Sequence, residues 1–143
     1  MNMLGKAIGI AAKTFEDVVD KAGEPYILHL LYVMYGMDND KDRICAVLHD
    51  LIEDTDWTID MLRTNGFAED DLAVIDLLTH KKGDDYLEVY IPKIAACPRA
   101  TRIKMRDLKH NTKPSRLKST SQKHLDRQTK YLLAFNYLQN IPK

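Results

Sequence analysis

Apolar residues recur at intervals of three and four along most of the chain, which is the spacing that places them on one face of an α-helix. No segment shows five or more residues of clean apolar and polar alternation between hairpin turns, the pattern typical of a half-buried strand. The pattern therefore predicts an all-α fold, a compact bundle of about seven to eight helices.

Turn residues between the apolar segments give the expected bounds of these helices. The first begins near Met3 and keeps its apolar face as far as Val19, where the following Ala-Gly-Glu-Pro segment should stop it. Pro25 can open the second helix, which continues to about Met37. The remaining helices are predicted at 41–54, 58–65, 68–80, 84–97, 99–111 and 121–139.

Two further features interrupt the second half of the chain. Pro92 lies inside the predicted helix 84–97 and should kink or split it, because proline has no backbone N–H to donate and clashes with the preceding turn. Residues 112–121 are rich in Pro, Ser and Thr, and we predict a loop there.

Length and composition narrow the class of protein. A chain of 143 residues with 45% hydrophobic and 29% charged residues is typical of one soluble globular domain, expected here over 1–143. The longest stretch without a charged residue is Pro25–Met37, shorter than the about 20 residues of a membrane span, so no membrane association is expected. The N-terminal segment lacks a cleavage-type ending and is expected to be mature structure. Two cysteines are too few for a disulfide framework, which favours the cytoplasm.

The net charge of zero conceals an uneven distribution. Residues 1–98 carry 9 Lys and Arg against 19 Asp and Glu, whereas residues 99–143 carry 12 against 2. Two oppositely charged parts that pack together would explain this, and so would a basic rim beside an acidic site for an anionic substrate. Nucleic-acid binding is less favoured, because core-type Leu, Tyr and Phe alternate with the cations.

The third predicted helix carries the first candidate chemistry. If 41–54 is one helix, then His49, Asp50, Glu53 and Asp54 share a polar arc opposite an apolar face. Ala46 is the other residue on that arc, and its small side chain would leave room for an ion or substrate. A solvated face of an ordinary surface helix is the alternative interpretation.

Completing a metal site would require ligands from other segments, and two candidates stand out. His29 lies in the middle of an apolar helix, where an isolated His is more often a hydrogen-bonded core residue. Asp107 is one of two acidic residues after position 98, and a simple ion pair with neighbouring cations would also explain it.

Three ordered motifs resemble those of HD-domain phosphohydrolases, specifically short members of the RelA/SpoT-type (p)ppGpp hydrolase branch. The resemblance extends over about residues 3–138. The motifs are Gly23-Glu24-Pro25-Tyr26-Ile27-Leu28-His29, Leu48-His49-Asp50-Leu51-Ile52-Glu53-Asp54-Thr55 and Ile103-Lys104-Met105-Arg106-Asp107-Leu108-Lys109-His110-Asn111.

The resemblance implies one divalent cation. Manganese is the usual ion in this branch, and iron, zinc and magnesium are the alternatives. The implied ligands are His29, His49, Asp50 and Asp107. A mixed imidazole and carboxylate set suits such ions and leaves coordination positions for water. By the same resemblance, Glu53 and Asp54 are the catalytic carboxylates that orient and deprotonate the attacking water.

The implied reaction removes the 3′-pyrophosphate from a guanosine tetra- or pentaphosphate, so the implied partner is a small phosphorylated nucleotide. Asn111 matches an Asn of the family and would hold the nucleotide or support Asp107. Lys21 ranks first among the candidate phosphate-binding cations, because the family places a basic residue just before the Gly-Glu-Pro-Tyr element. The other candidates are Lys104, Lys113 and Arg116.

The sequence departs from the family pattern near the expected base-binding region. Phe15–Val18 stands where members commonly show His-x-Gly-Gln, Asp20 where better-known hydrolases have an arginine that packs on guanine, and Leu30 where a proline often follows the first His. These differences favour one alternative, hydrolysis of another phosphorylated nucleotide, such as the 2′-phosphate of NADPH or a nucleoside phosphate. A non-catalytic nucleotide sensor, or a partner-binding helical domain with a vestigial site, is less favoured because all four ligands and both carboxylates are present. Of the remaining histidines, His80, His110 and His124, the one beside Asn111 is the best candidate for a supporting role.

Overall fold

A computed structural model describes residues 2–116 and 121–142. Within these ranges the chain forms nine α-helices, and its single β feature is an isolated bridge between Val19 and Pro25. The predicted all-α fold is therefore confirmed. In chain order the helices are α1 (Met3–Thr14), α2 (Tyr26–Tyr35), α3 (Asp40–Val47), α4 (Leu51–Asp54), α5 (Ile59–Thr64), α6 (Glu69–Leu78), α7 (Ile91–Ala95), α8 (Pro98–Asn111) and α9 (Gln122–Gln139).

The first helix is shorter than its apolar pattern predicts. It ends at Thr14, and Val18 and Val19, which were expected on its buried face, are 41% and 60% exposed. The Asp20 side chain accepts hydrogen bonds from the backbone N–H groups of Ala22 and Glu24, an arrangement that competes with helical hydrogen bonding. The segment between α1 and α2 is consequently a loop.

The predicted helix 41–54 is divided into α3 and α4, which corrects the polar arc drawn on a continuous helix. Backbone N–H groups of His49 and Leu51 donate to carbonyls three residues earlier, at 3.3 Å and 3.0 Å, so the chain tightens between the two helices. His49 and Asp50 therefore lie in a turn. Ala46 is fully buried in the core, so the prediction that its small side chain leaves room for an ion or substrate was wrong.

Proline has the effect that the sequence predicts. A π-helical turn, Tyr86–Tyr90, comes directly before α7, whose second residue is Pro92. The π-helical turn ends two residues before Pro92, whose missing N–H interrupts regular helical hydrogen bonding. The predicted loop 112–121 contains a 3-10 turn at Pro114–Arg116, and its residues 117–120 lie outside the described residues.

The core surrounds α3, which packs against α1, α2, α6 and α8. Five of its eight residues are buried, and the neighbouring helices add apolar side chains such as Leu30, Ile75 and Ile103, none of them exposed. Among the described residues, no helix is both long and apolar enough to cross a membrane.

Ion pairs connect the acidic first part of the chain to the basic last part. Arg99 of α8 donates to Asp42 of α3 at 2.6 Å and to Asp71 of α6 at 2.8 Å, and both carboxylates are buried. Arg102 adds a contact of 3.0 Å to Asp42. The uneven charge distribution is thus partly explained by packing of the two parts.

Replacement of Arg99 by Met should destabilise the fold strongly. It would leave the buried carboxylates of Asp42 and Asp71 without their main partner, and breaking a buried pair typically costs about 3–5 kcal/mol. Arg63, which pairs with Asp60 and Glu69 at the surface, is the matched control, and Arg63→Met should stay close to wild type. Urea unfolding measures both, and equal midpoints for the two variants would contradict the assignment.

Candidate metal centre

Four titratable side chains converge where α2, α8 and the turn between α3 and α4 meet. His29 comes from α2, His49 and Asp50 from the turn, and Asp107 from α8. One ligand-type atom from each residue can be chosen so that all four lie within 4.8 Å of one another. The structure thus brings together the four residues that the sequence proposes as metal ligands.

The cluster is centred on one carboxylate oxygen. Oδ1 of Asp107 lies 2.8 Å from Nε2 of His29 and 3.1 Å from Nε2 of His49. Oδ2 of Asp50 lies 3.2 Å from the same nitrogen of His49. Both imidazoles and Asp107 are buried, so bulk water does not separate these charges.

The protonation of His49 tests whether this set fits a metal ion. Its Nδ1 lies 2.6 Å from the carbonyl oxygen of Ala46, which accepts only, so Nδ1 carries a hydrogen. In the neutral ring, Nε2 then presents a lone pair toward the carboxylates of Asp50 and Asp107. Acceptors facing one another in a buried site require a positive charge between them, and a divalent cation would supply it.

The pKa of His49 follows the same electrostatics. Burial by itself would lower this pKa, but the charges of Asp50 and Asp107 outweigh burial and raise it well above the usual value. In the absence of a metal, the site therefore takes up a proton. The donor set fits a divalent cation.

Two side chains that the sequence interpretation gave no part in the centre also contact it. The Tyr26 hydroxyl donates to Oδ2 of Asp50, and Lys104 lies 2.9 Å from Oδ2 of Asp107. Burial opposes ionisation of Asp107, but Lys104 and His49 outweigh it and hold the pKa of Asp107 well below its usual range. Lys104, a candidate phosphate binder in the sequence, is instead the ion-pair partner of Asp107. Its position three residues before Asp107 on a helix was the available signal.

The two proposed catalytic carboxylates lie at the end of α4 in different surroundings. Oε1 of Glu53 accepts a hydrogen bond of 2.7 Å from the backbone N–H of His80. Asp54 lines a cavity, and burial, followed by the charges of Asp50 and Glu53, raises its pKa to about 6. In the metal-free site Asp54 thus keeps its proton to a higher pH than an ordinary carboxyl group does.

The cavity beside the centre has a volume of about 640 Å³ and contains three of the predicted substrate-binding residues. Lys21, Asn111 and Arg116 all line it, together with Arg127 and Tyr131 of α9. Nothing in the sequence motifs pointed to the last two, because they lie outside all three motifs. Its remaining lining residues are Phe15, Val18, Val19, Asp20, Ala22, Tyr26, Asp54, Thr55, His124 and Gln128.

Asp20, the departure from the family pattern, is paired with a cation. Its Oδ2 accepts from Nη2 of Arg116 at 2.9 Å, and Nη1 of Arg116 donates to Oδ1 of Asn111 at 2.8 Å. The cavity wall therefore carries a guanidinium next to Asp20. Lys113, another candidate cation, is exposed with its ammonium 4.5 Å from the ring centroid of Tyr32.

Comparisons with known proteins agree with this fold. No protein-family model matches the chain. A curated relative, "Probable GTP pyrophosphokinase" of Mycobacterium leprae (strain TN), is 27% identical over 128 residues, which cover 81% of this chain but 16% of the relative. The chain thus spans about a sixth of that protein's length. A solved structure described as "a metazoan ortholog of SpoT" that "hydrolyzes ppGpp and plays a role in starvation responses" superposes with a TM-score of 0.77. It is 21% identical, and the match covers 96% of this chain and 85% of that chain.

The raised pKa of Asp54 predicts a pH-dependent stability difference in metal-free protein. Because the pKa is about 6 when folded and 3.8 ordinarily, the folded state binds this proton more tightly than the unfolded state. The wild type should lose stability relative to Asp54→Asn as the pH rises from 4 through 6. Solvent screening limits the difference to about 1 kcal/mol.

Urea unfolding with chelator at pH 4.5 and pH 8 measures this difference. Asp56→Asn, a change at an exposed carboxylate two residues further on, is the control and should follow wild type at both pH values. If the stability difference between Asp54→Asn and wild type were the same at both pH values, the assignment of a raised pKa to Asp54 would be wrong.

Proposed function

We propose that this chain is a metal-dependent phosphohydrolase of the HD-domain type, in the RelA/SpoT-like (p)ppGpp hydrolase branch. Its reaction would remove the 3′-pyrophosphate of a guanosine 3′,5′-bis(diphosphate)-like nucleotide. The observation that carries the proposal is the convergence of His29, His49, Asp50 and Asp107 beside a cavity lined by cations. The fold shared with the metazoan SpoT ortholog, which hydrolyses ppGpp, supports it.

The four clustered side chains would hold one divalent cation, and we propose manganese. Two imidazole nitrogens and two carboxylate oxygens form a mixed donor set that suits manganese, iron or zinc, and magnesium remains a further alternative. Such an ion, when bound, lowers the pKa of water and neutralises phosphate charge. The chain itself orients the donors: Ala46 fixes the ring of His49, and Tyr26 and Lys104 each bind one ligand carboxylate.

Glu53 and Asp54 would handle the water and its proton. Hydrolysis requires a water oxygen to bond to the phosphorus attached to ribose O3′, the bond from that phosphorus to O3′ to break, and a proton to pass to the leaving oxygen. Asp54 lines the cavity beside the proposed ion, where a carboxylate can take the proton of the water and pass it to the leaving oxygen. Glu53, anchored by the His80 backbone, would orient the water.

The cavity has the features needed to bind a phosphorylated nucleotide. Lys21, Arg116 and Arg127 supply positive charge for phosphates, and Asn111 supplies an amide near the proposed metal. Val18 and Val19, both partly exposed, form an apolar edge on which a flat base can rest. The phosphates of one small ligand would thus contact the cations, and its base would contact the two valines.

The residues along this apolar edge favour a second candidate function. Phe15 and the two valines present no polar side-chain atoms that could read the hydrogen-bonding edge of guanine. Hydrolysis of another phosphorylated nucleotide, including the 2′-phosphate of NADPH, is therefore the alternative. It would use the same cation and the same carboxylates.

Replacing a proposed metal ligand and replacing a proposed catalytic carboxylate should have different effects on ion binding and turnover. His49→Ala and Asp107→Ala should lose the bound ion, and turnover with it, because each removes a donor from the cluster. Glu53→Gln and Asp54→Asn should retain about one manganese per chain yet lose turnover by roughly 100-fold or more, as expected for general acid-base groups. Elemental analysis and a pyrophosphate-release assay measure the two properties.

Asp126→Asn, a change at an exposed carboxylate of α9, is the matched control and should retain both ion and activity. Full metal content in His49→Ala and Asp107→Ala would contradict the ligand assignment. Loss of the ion from Glu53→Gln or Asp54→Asn would show that the replaced residue is a metal ligand.

The cavity also predicts weak base discrimination with strong dependence on phosphates. Because affinity would come from the ion and the cations, ppGpp should be preferred over its adenine counterpart by less than about tenfold, or about 1.4 kcal/mol. Affinity should fall at high salt, since exposed charges are screened over about 10 Å at 0.1 M.

Side-by-side kinetics with both nucleotides and with NADPH, reading pyrophosphate and orthophosphate separately, decide between the candidates. A hundredfold preference for guanine would show that other groups read the base. Turnover of NADPH alone would select the alternative function.

A further inference from the structure

His110 lies against His29 on the side opposite the metal-ligand cluster. Its ring stacks on that of Tyr32 at a centroid distance of 4.2 Å and lies nearly parallel to that of His29, with 5.0 Å between the centroids. Its Nδ1 lies 2.7 Å from Nδ1 of His29, whereas Nε2 of His29 faces Asp107. Two ring nitrogens at this distance form a hydrogen bond in which one donates and the other accepts.

Arg116 determines the direction of this hydrogen bond. Its Nη1 lies 3.0 Å from Nδ1 of His110 and 3.4 Å from Nδ1 of His29, and a guanidinium can only donate. The shorter contact assigns the lone pair to Nδ1 of His110, so the hydrogen between the two rings belongs to Nδ1 of His29. Arg116 is itself held by Asp20 at 2.9 Å and by Asn111 at 2.8 Å.

The direction of this hydrogen bond determines which nitrogen of His29 has a lone pair that faces the cluster. With its hydrogen on Nδ1, a neutral His29 keeps a lone pair on Nε2, the nitrogen that faces Asp107. His49 is in the same state, because the Ala46 carbonyl accepts its Nδ1 hydrogen. Each imidazole of the cluster thus has its outer N–H bound, one by the backbone and the other by His110.

We propose that His110 is a positioning residue for the metal centre. It accepts the Nδ1 hydrogen of His29, which fixes the ring orientation and leaves Nε2 free to bind a cation, and Arg116 keeps His110 in the accepting state. Such outer partners of metal-binding histidines typically change metal affinity by about 10–100-fold when removed. The proposal rests on the proposed function in requiring a bound ion.

Two variants separate the hydrogen bond from simple packing. His110→Phe keeps an aromatic ring between His29 and Tyr32 but removes the acceptor. His110→Asn loses the ring but can place its amide oxygen at the δ position, where it accepts the same hydrogen. If His110 acts through packing, His110→Asn should lose more Mn²⁺ affinity. If it acts through the hydrogen bond, His110→Phe should lose more.

The experiment measures Mn²⁺ affinity by electron paramagnetic resonance of the free ion, on wild type and both variants. We expect His110→Phe to bind Mn²⁺ about 10–100-fold more weakly and His110→Asn to stay within about threefold of wild type. Thermal unfolding in chelator should rank them in reverse, with His110→Asn the less stable. Wild-type affinity in His110→Phe, or greater loss in His110→Asn, overturns the proposal.

A wild type that binds no divalent ion would instead overturn the proposed function, and this inference with it, so the two failures are distinguishable. A measurement on wild type covers the case in which a variant does not fold. In Zn²⁺-loaded protein, two-bond ¹H–¹⁵N correlations should place the hydrogen of His110 on Nε2. A hydrogen on its Nδ1 would overturn the proposal.

Discussion

Two buried imidazoles face the same buried carboxylate oxygen of Asp107, and the rest of the site depends on this contact. Nε2 of His29 and Nε2 of His49 approach that oxygen at 2.8 Å and 3.1 Å. Asn111 donates to the same oxygen at 3.2 Å, and positive charge among the acceptors lowers the cost of burying them together. The helices place the Lys104 ammonium on one side of Asp107. On the other side they place ligand atoms that suit a metal cation.

The basic last part of the chain has three separate tasks in this arrangement. Arg99 joins α8 to α3 and α6, Lys104 neutralises Asp107, and Arg116 faces the cavity while it contacts His110. The acidic first part supplies the partners of Arg99 and Arg116 and three carboxylates of the site, whereas Asp107, the partner of Lys104, lies in the basic part itself. The uneven charge along the sequence therefore reflects both packing of the fold and a basic rim beside an acidic centre, and these two explanations do not compete.

The helices were predictable because periodicity and turn residues are local signals, and the convergence of four titratable side chains was predictable because three motifs in order resemble a known family. Thr58 as a cap, Gly66 after α5 and the interruption at Pro92 all act within a few residues. The break between α3 and α4 was not predictable, because residues 41–54 keep a helical apolar pattern across it. The early end of α1 was missed for the same reason, since Val18 and Val19 fit the apolar face yet lie at the cavity. Contacts between distant segments, such as Asp20 with Arg116, leave no pattern in a single sequence.

The central claim is that one divalent ion binds at the four converging side chains. Anomalous diffraction from crystals of the manganese-loaded protein, collected on either side of the manganese edge, tests it most directly. We expect one anomalous peak per chain, bound by Nε2 of His29, Nε2 of His49, one oxygen of Asp50 and one oxygen of Asp107. A peak elsewhere, or none at this cluster at saturating manganese, would contradict it.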